Sequence, residues 1–168
     1  MTESNVVLCG KEIEITEEIH IQIDVLGALF DEFEFITFLR GYHVSMEKWP
    51  KPLIGETLSL EIEMENQYDK YAVAAIRNGD VVGHVPAMFS ESINKFLQLP
   101  GCQATFSVTG KRVNRGAGYG LEIPVKATIS GHAKAVAWAK ERINKLIEEQ
   151  KQRVNHNKKT CKHCMEFV

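Results

Sequence analysis

The sequence has no long apolar run. A membrane-spanning helix needs at least about 18 consecutive apolar residues, and no segment of the sequence has them. Its first five residues lack the basic region and the apolar core of a secretory signal peptide. Cysteine is scarce, with four in 168 residues. We therefore expect an intracellular protein with free thiols, and not a secreted chain held together by disulfides.

Sequence motifs that mark an enzyme are also missing. There is no Walker A phosphate loop, no His-Glu-x-x-His pair and no Gly-x-Ser-x-Gly nucleophile turn. The carboxylates do not follow the spacing of a known catalytic motif. A nuclease-like set of lysine, aspartate and glutamate is not excluded, although no pattern in the sequence marks one. We expect a protein that is not an enzyme and that holds no catalytic cofactor.

The composition is ordinary for a globular domain, with 44% hydrophobic and 25% charged residues. Its charge is uneven, because residues 1–35 carry −8, residues 36–131 carry +1 and residues 132–168 carry +5. A basic C-terminal end suits a nucleic-acid partner. The basic C-terminal end could equally well be attracted to the acidic N-terminal end, either of the same chain or of a second copy.

Apolar residues alternate with polar ones in several short segments, which is typical of half-buried strands. The clearest are 33–39, 58–64, 104–108 and 121–129. An N-terminal hairpin is predicted over residues 12–26, with its turn at 16–18. Pro124 predicts an edge or a bulge for the last strand, because proline cannot donate to a ladder.

Two segments have helical periodicity. The first begins at Pro86 and ends before Pro100-Gly101. The second begins at Ala133 and is expected to last until about residue 153, with a frayed polar segment at 155–160. Its apolar stripe predicts packing against the strands or pairing with another copy.

The most informative segment runs from Asn66 to Ala74 and continues through Gly79 to Val85. Asn78-Gly79 between two apolar runs predicts a type I′ hairpin turn. The hairpin would bring Tyr68, Asp69 and His84 together near its outer ends.

These residues resemble the HIRAN domain family. The similarity rests on Leu39-Arg40-Gly41-Tyr42, the Asn66–Val73 segment, the Gly79–Val85 segment, the short helix, and the glycine-rich loop before Leu121-Glu122-Ile123-Pro124. The resemblance covers about residues 36–131 and implies a mainly β fold with α, an OB-like β-barrel of about six strands with one internal helix. We then expect an acidic N-terminal β extension over 1–35, a C-terminal amphipathic helix over 132–154 and a basic tail over 155–168.

The best-understood member of the family captures the 3′-hydroxyl end of single-stranded DNA during fork-remodelling repair. The resemblance therefore implies a DNA-binding module for single-stranded 3′ ends, working in the nucleus. Carried over by position, it assigns the pocket to six residues: Arg40, Tyr42, Asn66, Tyr68, Asp69 and His84.

The chemistry of these residue types fits that role. A terminal ribose hydroxyl can donate to the Asp69 carboxylate, whereas an internal nucleotide lacks that donor. Tyrosine rings offer stacking platforms worth about 1–3 kcal/mol per base. Arg40 suits bidentate pairing with a phosphate.

Three positions depart from that best-understood member. Gly41 replaces a second tyrosine, Pro86-Ala87 replace lysines, and Leu121 replaces a phenylalanine for which Tyr119 could substitute. These departures leave a second function open, in which the family's fold serves protein interaction or oligomerisation without DNA. A third hypothesis is an accessory protein that locates ends for a separate nuclease.

Each pocket residue also has a purely structural interpretation. Asp69 could cap its own turn, and Arg40 could pair with Asp69. His84 could be a satisfied residue at a strand end, and Tyr42 and Tyr68 could be half-buried barrel residues.

Lys111, Arg112 and Arg115 lie beside the glycine-rich loop that carries Tyr119. They predict either a basic finger that contacts phosphates or an ordinary solvated loop.

Cys161 and Cys164 form a Cys-x-x-Cys pair, which is half of a structural zinc site. His156 or His163 could add a ligand, with the remainder coming from a second copy. A disordered tail and redox chemistry are the alternatives.

Overall fold

The computed structural model describes residues 5–8, 11–14, 29–116 and 118–165, of which 5–8, 11–14 and 158–165 are described by their backbone alone. Eight strands and three helices are formed by these residues. In chain order they are β1 Asn5–Leu8, β2 Lys11–Glu14, β3 Phe30–Leu39, α1 Tyr42–Ser45, β4 Thr57–Ile62, β5 Val73–Arg77, β6 Asp80–His84, α2 Ala87–Leu97, β7 Gln103–Val108, β8 Ile123–His132 and α3 Ala133–Met165.

The main sheet has six strands in the order β3-β8-β7-β4-β5-β6, and every neighbouring pair is antiparallel. Its core-facing residues follow the alternation read from the sequence. In β8, for example, Ile123, Val125, Ala127 and Ile129 are all fully buried. The predicted OB-like, mainly β fold of about six strands is therefore confirmed.

The two edge strands of the sheet meet at one residue pair. Arg40 and His84 exchange two backbone hydrogen bonds, with N–O distances of 3.0 and 2.8 Å. Gly83 allows this approach, because a Cβ there would lie 2.3 Å from Leu39 Cδ2 and 2.6 Å from the Arg40 carbonyl oxygen. The sheet curls into a barrel-like shape that this single bridge holds.

The hairpin between β5 and β6 turns at Asn78 and Gly79, as predicted. Their φ angles are 51° and 85°, which are the two positive values that a type I′ turn requires. The turn fixes the register of β5 and β6, and hence the position of His84 at the far end.

The expectation that Pro124 marks an edge strand was wrong. β8 lies inside the sheet, between β3 and β7. The Pro124 carbonyl accepts a hydrogen bond from Thr109 N at 3.0 Å, just past the end of β7 at Val108. The missing N–H of Pro124 therefore faces β7, where the hydrogen-bond ladder between β7 and β8 has already ended. The absence of a donor at this point removes no hydrogen bond from the ladder.

β1 and β2 form a short antiparallel pair that begins ahead of the predicted hairpin, with Val6 opposite Ile13. The prediction used only the alternation after residue 12 and overlooked the apolar run Val6-Val7-Leu8. Residues 15–28, the second half of the predicted hairpin, lie outside the described residues.

The C-terminal helix α3 is longer than predicted. It extends past residue 153 and through the segment at 155–160 that was expected to fray. No glycine or proline follows Gly131 in the sequence, so nothing breaks the helix. Val136, Ala139 and Ile143 are buried against the barrel, which agrees with the packing alternative.

β3 begins at Phe30, so the sheet starts before the domain boundary expected at residue 35. Among the described residues, no helix has the length and apolar character needed to cross a membrane.

Candidate functional site

The turn between β4 and β5 is held by the side chain of Asn66. Its Oδ1 accepts hydrogen bonds from the backbone N–H groups of Tyr68 and Asp69, both at 2.9 Å. Its Nδ2 donates to Glu63 Oε2 at 3.0 Å. Asn66 thus fixes the backbone that carries the two predicted ligand-reading residues.

Asp69 is fixed at both carboxylate oxygens. Oδ1 accepts the backbone N–H of Tyr71 at 2.8 Å, and Oδ2 accepts the hydroxyl of Ser90 in α2 at 2.8 Å. The turn-capping interpretation is therefore correct, and the Ser90 bond adds orientation. An ionised carboxylate has about four acceptor sites, so two internal donors leave capacity for another.

Tyr68 projects into solvent from the same turn. Its side chain is 98% exposed, whereas aromatic residues of this size are usually largely buried. The half-buried alternative for Tyr68 is therefore wrong. Both faces of the ring are accessible for stacking.

His84 connects this turn to the bridge that joins the sheet edges. Its Nε2 lies 2.7 Å from Glu63 Oε2, the oxygen that Asn66 also contacts. The hydrogen bond from Asn66 lowers the pKa of Glu63, and the hydrogen bond from His84 lowers it further by a smaller amount. Partial burial of Glu63 acts in the opposite direction. The chain of contacts runs from Asp69 through Asn66, Glu63 and His84 to the backbone of Arg40.

Arg40 pairs with Glu122 and not with Asp69. Glu122 is fully buried, and its Oε1 lies 3.2 Å from Arg40 Nε. That contact balances charge, but its geometry leaves Arg40 Nε without a hydrogen-bond acceptor among the described residues.

Arg115 satisfies the same buried carboxylate by a bidentate interaction, with Nε and Nη2 at 2.7 and 3.0 Å from the two oxygens of Glu122. These hydrogen bonds raise the pKa of Arg115, although burial partly opposes them. The glycine-rich loop is thereby tied to β3 through Glu122, and Arg115 is not simply a solvated side chain.

Both guanidinium groups also lie over aromatic rings. Arg40 Cζ is 3.5 Å from the centroid of the Tyr119 ring, and Arg115 Cζ is 3.7 Å from that of Phe38. Tyr119 remains 43% exposed. Cation–π contacts of this kind orient a guanidinium without consuming its hydrogen-bond donors.

A groove opens beside this cluster. It has a volume of about 310 Å³ and lies between Arg40 and Tyr119 on one side and α3 on the other. Pro86, Ala87 and Met88, at the start of α2, also line this groove. A smaller neighbouring cavity of about 150 Å³ shares Arg40 and also includes Arg115.

Tyr42 is not part of this surface. It is fully buried, and its hydroxyl donates to the Trp49 carbonyl at 2.7 Å while the two rings meet edge to face. The structure therefore places the Tyr42 ring in the core, with no face open to a base. The preceding Gly41 has φ 76°, a left-handed conformation in which the tyrosine of the family's best-understood member would be strained.

The remaining predicted residues are less informative. Lys111 and Arg112 are exposed. Cys161 and Cys164 lie in the last turns of α3, and their side chains fall outside the described residues. Where side chains are described, no three metal-ligating residues come together.

Sequence reasoning missed the central residue, Glu122. Period-2 alternation places it opposite the buried Ile123 and predicts that it points outward. One signal was available, because Glu122 is the only acidic residue between Glu91 and Glu141 and follows three basic residues closely. A lone carboxylate among cations favours an internal ion pair. The sequence analysis also missed Ser90, which donates a hydrogen bond to Asp69, and Glu63, which contacts the ring of His84.

Among the solved structures similar to this chain, one supports the fold with a TM-score above 0.5. The crystal structure of the HIRAN domain of human HLTF is 18% identical, with a TM-score of 0.54, covering 71% of this chain and 93% of that chain. An NMR structure of the HLTF HIRAN domain in its DNA-bound conformation is 18% identical, with a TM-score of 0.48, covering 67% and 87%. A crystal structure of a Lactobacillus plantarum protein is 14% identical, with a TM-score of 0.47, covering 61% and 99%.

Among curated proteins, no sequence matches this chain. The family model of the HIRAN domain, in contrast, matches residues 33–134, more than half of the chain and all of the main sheet except the first residues of β3. This chain belongs to the HIRAN domain family.

Proposed function

We propose that this protein binds single-stranded DNA and captures a free 3′-hydroxyl end, in the context of DNA repair or replication-fork processing. Family membership supports DNA as the ligand. The observation that carries the proposal is the turn at 66–71, which presents an exposed aromatic ring beside a fixed carboxylate.

The end is recognised by Asp69. Its position is fixed by Tyr71 N and the Ser90 hydroxyl, so little ordering is required when a ligand arrives. A terminal 3′-hydroxyl donates to one of the remaining lone pairs of the carboxylate. A terminal phosphate carries negative charge and is repelled by the same group.

Tyr68 supplies the stacking platform. A base contacts either face of this ring without sequence preference, because every base has a π face. Arg40 and Arg115 provide positive charge along the two adjoining cavities, and the buried Glu122 offsets one of the two charges. The surface therefore attracts a phosphate backbone only moderately, and the contacts at the end contribute most of the selectivity.

The test compares two labelled single strands of about ten nucleotides, which is within the usual site size of an OB-like fold. One strand ends in a 3′-hydroxyl and the other in a 3′-phosphate, and affinity is measured by fluorescence anisotropy. Since a hydrogen bond to a charged group contributes about 1.5–3 kcal/mol, we expect a preference of roughly ten- to hundredfold for the hydroxyl.

Asp69→Asn should remove most of this preference while keeping an oxygen acceptor for the Tyr71 amide. The matched control is Asp80→Asn, which removes the same charge from an exposed residue at the other end of the β5–β6 hairpin. Equal affinity of the wild-type protein for both strands would refute end recognition.

A further inference from the structure

Helix α3 adds a wall to the groove beside Arg40 and Tyr119. The family match ends at residue 134, whereas α3 runs from Ala133 to Met165. Four residues of α3 line this groove: Leu146, Glu149, Gln150 and Arg153. The groove is therefore formed jointly by the barrel of the family and by a helix that lies almost entirely outside the family match.

This part of α3 is held against the barrel. Ile143 is fully buried, and Leu146 and Ile147 pack on the same hydrophobic core. Gln150 follows Leu146 by four residues and Arg153 follows Gln150 by three, so these side chains lie on one face of the helix. Arg153 is less than two helical turns beyond Ile147, and the packing of the helix therefore sets its position beside the groove.

The charges around the groove are few, and Arg153 decides their balance. The groove and the adjoining smaller cavity are lined by three arginines and one carboxylate: Arg40, Arg115, Arg153 and Glu149. The buried Glu122 pairs with Arg40 and Arg115. The cations therefore outnumber the carboxylates by one, and removal of Arg153 would leave no net positive charge.

Two guanidinium groups of the groove keep donors for an anion, one on each wall. Arg40 contacts Glu122 through Nε and lies over the Tyr119 ring, a contact that consumes no hydrogen-bond donor. Arg153 is exposed, and no ion pair or hydrogen bond involves it in the part of the chain that the structure describes. The planar fork of a guanidinium matches the oxygens of a phosphate, so the groove suits a phosphate group.

One hydroxyl links this groove to the carboxylate of Asp69. The Ser90 hydroxyl donates to Asp69 Oδ2 at 2.8 Å and lies 3.0 Å from the carbonyl oxygen of Ala87, which lines the groove. Asp69 and the start of α2 are therefore neighbours. A strand that ends at Asp69 can place one of its last phosphates in the groove.

We propose that Arg153 binds a phosphate group of the single strand in this groove, on the wall opposite to Arg40. This inference rests on the proposed function, and it makes α3 a part of the binding site. A free phosphate ion has the same chemistry as a phosphate of a strand. The closeness of Asp69 to the groove favours the strand.

The test measures the affinity of the full chain for a labelled 3′-hydroxyl strand of about ten nucleotides, by fluorescence anisotropy at several salt concentrations. Two variants each change one charge of the groove: Arg153→Gln and Glu149→Gln. Two control variants change the same charges on the same helix but outside the groove: Lys151→Gln and Glu148→Gln. The control residues are exposed and pair with each other at 3.7 Å.

We expect Arg153→Gln to weaken binding roughly three- to tenfold at about 50 mM salt. The slope of log affinity against log salt should fall by about 0.7, the contribution of one phosphate contact on a single strand. Glu149→Gln should strengthen binding by a similar factor, because it removes a carboxylate that repels the phosphate. Both control variants should have much smaller effects, since salt screens exposed charges that lie away from the phosphate.

A second set of strands locates the phosphate. In each strand, one of the phosphates nearest the 3′ end is replaced by a neutral methylphosphonate. At one position, the replacement should weaken binding to the wild type but should not further weaken binding to the Arg153→Gln protein. Such non-additivity is expected only for two groups that interact.

Three results would overturn the inference. The first is an equal effect of Arg153→Gln and Lys151→Gln on strand binding. The second is weaker binding by Glu149→Gln, because α3 would then support the barrel and not contact a phosphate. The third is a loss of inorganic phosphate binding in Arg153→Gln without a loss of strand binding, which would assign the groove to a free anion.

Failure of the proposed function gives a different result. If strands with a 3′-hydroxyl and a 3′-phosphate bind alike while Arg153→Gln and Glu149→Gln still act in opposite directions, end recognition fails and the phosphate contact in the groove stands. If the wild type binds no single strand, both proposals fail.

Discussion

Replacing Glu122 by glutamine should destabilise the domain strongly, because this buried carboxylate pairs with two arginines at once. Glu122 is fully buried, whereas the side chains of Arg40 and Arg115 are 25% and 41% exposed. Glutamine keeps the size and one oxygen acceptor, but it removes the charge and turns an N–H₂ group towards a guanidinium.

The magnitude follows from the asymmetry of exposure. Removing one partner of a buried ion pair costs about 3–5 kcal/mol. The two arginines left behind can hydrate partly, so we expect about 2–4 kcal/mol here. For a protein of this size, each kcal/mol lowers the melting temperature by roughly 2–4 °C.

The assay is equilibrium unfolding in denaturant, with Glu34→Gln as the matched control. Glu34 pairs with Lys126 at 2.7 Å on the surface, and breaking that exposed pair should change stability little. A double variant with Glu122→Gln and Arg115→Gln should cost less than the sum of its parts, because the two residues contact each other. A Glu122→Gln protein as stable as wild type would refute the role of the cluster in tying the glycine-rich loop to the barrel.

Three further predictions concern the turn and the bridge. Tyr68→Ala should weaken binding of a single strand by about 1–3 kcal/mol, which is the contribution of one stacked base. Because Tyr68 is exposed, this change should not lower the melting temperature of the protein, and Tyr68→Phe should bind like wild type. Gly83→Ala should destabilise by about 1–3 kcal/mol in denaturant unfolding, since its Cβ would overlap Leu39, whereas Gly110→Ala meets its nearest neighbour at an easier 3.4 Å. Glu63→Gln should lower the melting temperature at neutral pH. The hydrogen bond from Asn66 lowers the pKa of Glu63, so the ionised carboxylate stabilises the folded protein above the ordinary value of 4.5. The difference in melting temperature from wild type should therefore shrink as the pH falls below 4.5.

Each of these has an opposite outcome that would count against it. Binding unaffected by Tyr68→Ala would show that the exposed ring is not a platform. Equal stability of the Gly83→Ala and Gly110→Ala proteins would mean that the bridge tolerates a side chain. A Glu63→Gln difference that is constant with pH would show that the ionised carboxylate does not stabilise the turn.

Local patterns in the sequence account for most of the fold. Alternation fixed which faces of β3, β4, β7 and β8 are buried, and Asn78-Gly79 defined the hairpin. Local pattern also located the Asn66–Asp69 turn, since an asparagine side chain can bond to backbone groups two and three residues ahead without help from the rest of the chain.

Long-range contacts explain what the sequence did not reveal. Glu122 occupies a position that alternation assigns to solvent, and only the approach of Arg40 and Arg115 from other segments makes its burial possible. For Tyr42 the sequence left open a stacking role and a structural role in the barrel. The Tyr42 hydroxyl donates to the Trp49 carbonyl in a loop seven residues later, and the ring is buried in the core. Pro124 tolerates a central strand only because β7 has already ended.

The most direct test of strand binding at the turn of residues 66–71 is a titration of the ¹⁵N-labelled protein with a short 3′-hydroxyl single strand, in which the amide chemical shifts are followed. We expect the largest changes in this turn and at Arg40 and His84, which the contacts through Glu63 join to it. If these amides do not change at a saturating concentration of the strand, or if the changes are confined to the loop at 46–56, the turn is not the binding site.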